Sequence, residues 1–109
     1  MATIRKVLGQ QNPTAATLTT LYTVPSSTST VCSTISICNR SATATSFRVA
    51  VRPAGAAIAN EHYIYYDVTI AGNDTFMATF GMTLATTDIV TVYATLATLS
   101  FNLFGQETT

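Results

Sequence analysis

The sequence predicts an all-β protein: an antiparallel β-sandwich of about seven to eight strands, jelly-roll or immunoglobulin-like, with an extended N-terminal arm. Three observations predict it. Apolar or β-branched residues alternate with Thr, Ser and Ala along most of the chain. Turn-forming residues recur at intervals of about ten residues. No amphipathic stretch is long enough for the crossover helix of a βαβ unit. The alternation is clearest from Val31 to Asn39. There Val31, Ser33, Ile35 and Ile37 fall on one face, and Cys32, Thr34, Ser36 and Cys38 on the other. A period of two belongs to extended backbone, whose successive side chains point to opposite sides of the pleat.

Residues 1–15 read as the arm, because Gln10, Gln11, Asn12 and Pro13 interrupt any periodicity and Pro13 has no N–H for a sheet. The sandwich domain then spans residues 16–107. Its first strand runs from Leu18 to Val24 and stops at Pro25, and a Ser- and Thr-rich loop leads to the second, Val31 to Asn39. After a polar turn, Thr45 to Arg52 forms the third, with Phe47, Val49 and Val51 inward and Arg48, Ala50 and Arg52 outward; Pro53, Ala54 and Gly55 end it. The fourth runs from His62 to Ile70, and strict alternation sends Ile64, Tyr66, Val68 and Ile70 to the core and Tyr63, Tyr65, Asp67 and Thr69 to the other face. Gly72 and Asn73 make a tight turn into the fifth, Thr75 to Phe80, and Gly81 to Asp88 reads as a loop. Ile89 to Ala94 and Leu96 to Phe104 complete the set.

At 109 residues, 48% of them hydrophobic, the chain forms one domain with a modest core and is not intrinsically disordered. Only 9% of residues are charged and the formal net charge is zero. That leaves no electrostatic case for nucleic acid or an anionic membrane as partner. No apolar run approaches the roughly 18 residues of a membrane helix. Arg5 and Lys6 are not followed by the apolar segment of a secretory signal, so synthesis in a cytoplasm without that export route is expected.

Residues suited to chemistry are sparse. Cys32 and Cys38, six apart on one strand, lie roughly 20 Å from each other, too far for a disulfide. His62 is the sole histidine, and a zinc site needs three or four ligands. Asp74 and Asp88 sit at turns, where carboxylates accept backbone N–H bonds. The five glycines are isolated, so no phosphate loop is present. No catalytic, metal or cofactor site is expected. The candidate interface residues are Arg5 and Lys6 on the arm, Arg48 and Arg52 on one exposed strand face, and Tyr63 and Tyr65, whose rings suit subunit contacts or sugars.

Exposed strand edges normally carry lysines, prolines or bulges that discourage pairing with other chains. Ile89 to Ala94 and Leu96 to Phe104 contain no charge, so those strands are either central or covered by a neighbour. A homo-oligomer is therefore expected.

Several segments carry a family resemblance. They are Leu21-Tyr22-Thr23-Val24-Pro25, Ile37-Cys38-Asn39-Arg40, Phe47-Arg48-Val49-Ala50-Val51 with Pro53-Ala54-Gly55-Ala56, His62-Tyr63-Ile64-Tyr65-Tyr66-Asp67, Asn73-Asp74-Thr75-Phe76, and Leu99-Ser100-Phe101 with Phe104-Gly105. In this order, over about residues 16–107, they resemble a family of small virion-associated structural proteins of tailed bacteriophages and prophages. The resemblance implies a non-catalytic component of a virion, assembled in the bacterial cytoplasm. The favoured form is a head decoration or cement protein, a homo-oligomer with a trimer favoured, on the major capsid protein and attached through the arm. A tail, baseplate or fibre-associated module among tail proteins is the next, and a receptor- or carbohydrate-binding module is a third expectation.

Overall fold

The computed structural model describes residues 2–109 as eight strands in two four-stranded antiparallel sheets. The strands are β1 (Thr3–Gln11), β2 (Thr19–Thr23), β3 (Ser29–Asn39), β4 (Thr45–Arg52), β5 (Tyr63–Ile70), β6 (Thr75–Leu84), β7 (Ile89–Ala94) and β8 (Leu99–Thr108). One sheet has the order β1-β8-β3-β6 and the other β2-β7-β4-β5. This is the jelly-roll arrangement. Its logic is visible in the register, where Thr3 pairs with Thr108, Thr19 with Val92, Thr30 with Leu84 and Thr45 with Ile70. The rungs nest. The molecule is one long antiparallel hairpin, with its tip in the Pro53–His62 segment, folded so that successive rungs alternate between sheets. The two ends of the chain consequently lie together, with Ala2 and Thr109 exchanging backbone hydrogen bonds of 3.1 and 2.9 Å.

The core lies between the sheets, where Phe47, Phe101, Ile35, Ile37, Leu99 and Leu103 are fully buried. Phe47 of β4 is its centre, with ring centroids 5.1 Å from Phe76, 6.2 Å from Tyr65 and 6.4 Å from Phe101. Edge-to-face and tilted packing of this kind adds about 0.5–1.5 kcal/mol per pair beyond area burial. On one flank the sheets close: Gly9 of β1 passes so near the Leu21 carbonyl of β2 that a Cβ would collide with it.

The structure differs from the sequence expectations in several places, the last strand among them, found at Leu99–Thr108 and not at Leu96 to Phe104. Residues 3–11 of the expected arm are β1, an edge strand of the first sheet; Met1 lies outside the described residues. The interruption at Gln10 to Pro13 ends a strand instead of marking a tether, because β8 extends to Thr108 and offers β1 a full edge. The sandwich therefore begins before residue 16 and ends after residue 107. β6 continues through the expected loop to Leu84, its alternation intact. β3 changes phase at Ser33, where register slips between Cys32 and Thr34, so Cys32 is buried while Val31 is only half-buried and Ser33 is exposed. β5 changes phase as well: Val68 pairs with Phe47, but Tyr65 with Val49 and Tyr63 with Ala50. These two slips turn Tyr66 and Ile64 outward, 57% and 43% exposed, and turn Tyr65 inward against Phe47 and Phe76. β7, which has no charge, and β8, whose single charged residue Glu107 lies beyond the expected strand end at Phe104, are both central.

Asn39, at the end of β3, is 1% exposed and satisfies its whole carboxamide. Nδ2 donates to the carbonyls of Thr43 (2.9 Å) and Ala71 (3.2 Å), and Oδ1 accepts from Ser41 N and Thr98 Oγ1, both at 3.1 Å. It thereby joins the β3–β4, β5–β6 and β7–β8 connections. At the opposite end Asp88 accepts from Ala54 N and Ala85 N, both 2.9 Å, joining the hairpin tip to the β6–β7 turn. Replacing Asn39 by Ala strands several buried polar groups, each costing about 1–3 kcal/mol. Urea denaturation of Asn39→Ala is expected to show a loss of about 3 kcal/mol or more, and a loss below about 1 kcal/mol would show that the three turns hold without it.

Candidate interaction surface

The outer face of the β2-β7-β4-β5 sheet carries a cluster of rings and guanidinium groups. Alternation on β4 turns Arg48 and Arg52 outward, and alternation on β7 turns Thr91 and Tyr93 to the same side. Arg48 is the direct cross-strand partner of Tyr93. Its guanidinium carbon lies 4.4 Å from the Tyr93 ring centroid and 4.2 Å from that of Tyr66, between the two rings. Its Nε and Nη2 donate to the two carboxylate oxygens of Asp67, at 2.6 and 3.3 Å. The fork and the stacking fix a side chain that would otherwise sample many rotamers. The hydrogen bonds to Asp67 also hold the guanidinium pKa above its ordinary value. Tyr63 packs edge-on against Tyr66 at 4.9 Å, and beneath this layer Ala50 and Thr91 are buried although they face outward.

The β5 irregularity creates this arrangement. Asp67 adopts φ 51°, a left-handed conformation that Asp tolerates better than most residues. That turn carries the carboxylate to Arg48 and swings Tyr66 to the outer face beside Tyr63. Of the expected interface residues, Tyr63 and Arg48 meet here, and Tyr65 does not, being drawn into the core. Arg48 is satisfied within the chain instead of awaiting a neighbour's carboxylate. Arg52 lies on the same face and donates to Thr91 Oγ1 and the Ala56 carbonyl, both at 3.1 Å. Sequence reasoning missed Tyr93 and the outward Tyr66. Cross-strand pairing brings Tyr93 to Arg48, and no local pattern reports that pairing.

Arg5 and Lys6 sit far from this cluster, on β1. Arg5 lines a shallow, open hollow of about 580 Å³ with Val7, Val31 and Phe104. Lys6 is engaged within the chain: its Nζ lies 3.2 Å from Glu107 Oε1. Glu107 also accepts a 2.5 Å hydrogen bond from the Tyr22 hydroxyl, which is 2.8 Å from Thr30 Oγ1. This network spans the two sheets. The bond from Tyr22, reinforced by Lys6, holds the Glu107 carboxyl below its ordinary value, while burial, with the adjacent carboxylate, pushes the Tyr22 hydroxyl up.

Cys32 and Cys38 are free thiols. Cys32 is buried in the core, and that burial pushes its pKa up to about 12, leaving it an unreactive space-filler. His62 Nδ1 accepts the Ala59 backbone N–H at 3.1 Å, closing one 3₁₀ turn of the hairpin tip. Among the described residues no three His, Cys, Asp or Glu side chains converge as metal ligands. The eight-stranded jelly roll and a ring-and-guanidinium face define the class of this molecule. Comparison with protein-family models, with curated proteins and with solved structures returns no match to the chain.

Two measurements check this geometry. Tyr65→Ala is expected to cost about 3 kcal/mol through the cavity it opens, whereas Tyr66→Ala stays within about 1 kcal/mol as a surface change; equal losses would contradict the reversed orientations. Glu107 has a folded-state pKa below its unfolded value, near the ordinary 4.5. Its contribution to stability is therefore full above that value and disappears as pH falls through the folded-state pKa. The stability gap between the native chain and Glu107→Gln should be constant near neutral pH and close on acidification below about 4.5; a gap independent of pH would refute the network.

Proposed function

We propose that this protein is a non-catalytic structural component of a tailed-bacteriophage particle, a head decoration protein seated on the major capsid protein. The observation that carries the proposal is the character of the outer β2-β7-β4-β5 face. Tyr63, Tyr66, Tyr93 and Arg48 form a broad mosaic, held rigid by contacts within the chain and not folded around a deep cleft. Tyr and Arg are enriched where proteins anchor to one another, and pre-ordered side chains lose little entropy on docking. The segments that resemble virion-associated proteins support the same role: Asn39, Phe47 and Phe101 within them hold the scaffold together. Jelly rolls occur in both viral capsid and lectin domains, so the scaffold alone does not choose between particle and sugar. Because β1 pairs with β8, attachment falls to the aromatic face, not to a free arm.

A carbohydrate-binding role is the second reading, favoured by one feature. Asn60, Tyr63 and Tyr66 line a hollow of about 350 Å³ in which an amide stands beside two rings.

The test is particle occupancy, read by quantitative mass spectrometry of purified virions. A decoration protein should be present in numbers that scale with the capsid subunits, whereas a tail or baseplate module would appear in a few copies. Tyr63→Ala with Tyr66→Ala is expected to lower occupancy by more than about tenfold while the domain stays folded. Unchanged occupancy would overturn the docking face. A glycan-array signal abolished by the same pair would favour the sugar reading.

A further inference from the structure

Among the described residues the sandwich has four edge strands, and three carry features that obstruct the addition of another strand. β1 bears Arg5 and Lys6 and slips register at Leu8. β2 is five residues long and is closed against β1 at Gly9. β5 slips register twice and places Asp67 in a left-handed conformation. β6 is different. It is ten residues long with neither a charged residue nor a proline. Thr75 to Thr79 pair residue for residue with Cys38 to Thr34, and the single irregularity against β3 falls between Thr79 and Met82. Phe76, Ala78, Phe80 and Met82 face the core but are only partly buried, and Met77 on the other face is 64% exposed. This flank is where the sandwich stands open.

We propose that β6 pairs antiparallel with β6 of a second copy of this chain, about a two-fold axis at Met77, making one continuous eight-stranded sheet from two four-stranded ones. The occupant follows from the edges themselves. A strand without charge brings no like charges together when it meets its own copy. The β1 edge would bring two cations and a bulge, β5 its two bulges, and β2 is short and closed. On this molecule the unobstructed complement of β6 is β6. The Met77 axis centres the regular stretch. It sets Thr75 opposite Thr79, a hydroxyl pair favoured across strands, and Phe76 opposite Ala78, so that a ring meets a methyl group over the half-open core. Met77 meets its own copy, and its flexible thioether adapts to that contact. Such an interface is isologous. The unit is therefore a dimer, where the decoration-protein resemblance implied a trimer. The proposal stands apart from the particle role, since it uses neither Tyr63 nor Tyr66.

Sedimentation equilibrium of the full chain at micromolar concentration is expected to give twice the 11.6 kDa chain mass. Met77→Lys places two ammonium groups against each other at the axis and is expected to give a folded monomer, with its β-sheet circular dichroism unchanged. Met77→Cys, in a Cys38→Ser background, supplies a second readout that needs no loss of association. Opposed Cα atoms in an antiparallel pair lie about 4.5–5.5 Å apart, within disulfide reach, so mild oxidation should yield a covalent dimer. A monomeric or trimeric native chain, a dimer indifferent to Lys at position 77, or no cross-link would each overturn the proposal. The Tyr63→Ala, Tyr66→Ala chain should remain dimeric even where particle occupancy is lost, so the two ideas fail separately.

Discussion

One buried carboxamide constrains this molecule more than any other side chain. This jelly roll changes sheets at every connection except the β4–β5 tip, so its other turns must cross the open ends of the sandwich, where no ladder satisfies their backbone groups. Asn39 meets that need for three crossings at once, with two donors and two acceptor positions all engaged. An Asp in its place would lack the donors, and an apolar residue would leave the Thr43 and Ala71 carbonyls of two separate turns without them. The other end is held by a looser division of labour: Asp88 ties two turns, Thr86 and Thr28 exchange hydrogen bonds, and Glu107 links Tyr22 to Lys6. The aromatic core fills the space that these polar brackets define.

Much of the architecture was legible because period-two alternation survives wherever a strand is regular. Ile35, Ile37, Phe47, Val49, Phe101 and Leu103 are buried as alternation requires. Alternation fails where a strand gains a residue, since one slip exchanges the two faces for every residue beyond it. Ser33 inverts the start of β3, and the Ile64 and Tyr66–Asp67 irregularities invert half of β5. No residue there announces a bulge in the manner of glycine; Asp67, at φ 51°, meets a partner, Arg48, that lies nineteen residues earlier in the chain. The bulge that hid the aromatic face from the sequence is thus the same feature that builds it. Likewise β1 lacked any alternation strong enough to name it a strand, and its partner is the far end of the chain.

The scarcity of charge acquires a sharper meaning once the strands are placed. Charge-free β7, and β8 with Glu107 alone, are harmless because each is flanked on both sides. The few ions are spent near edges and on the outer face: Lys6 with Glu107, Arg48 with Asp67, Arg5 on β1. Exposed ion pairs of this sort contribute little to stability. Their larger effect is on association, since they make some rims of the molecule inhospitable and leave β6 bare.

The nested register has a consequence for how the chain reaches its fold. Pairing at the tip, β4 with β5, joins residues close in sequence, while β1 with β8 joins the two extremities, and rates fall as such separations grow. The order of closure is thereby suggested from the tip outward. Because Ala2 and Thr109 already touch, a short linker could seal the extremities and new ends could be opened near Ala57. Such a circular permutant would keep every rung of the ladder and reverse their ranking, making the most distant pairing the most local. The same folded object would then be assembled in the opposite direction.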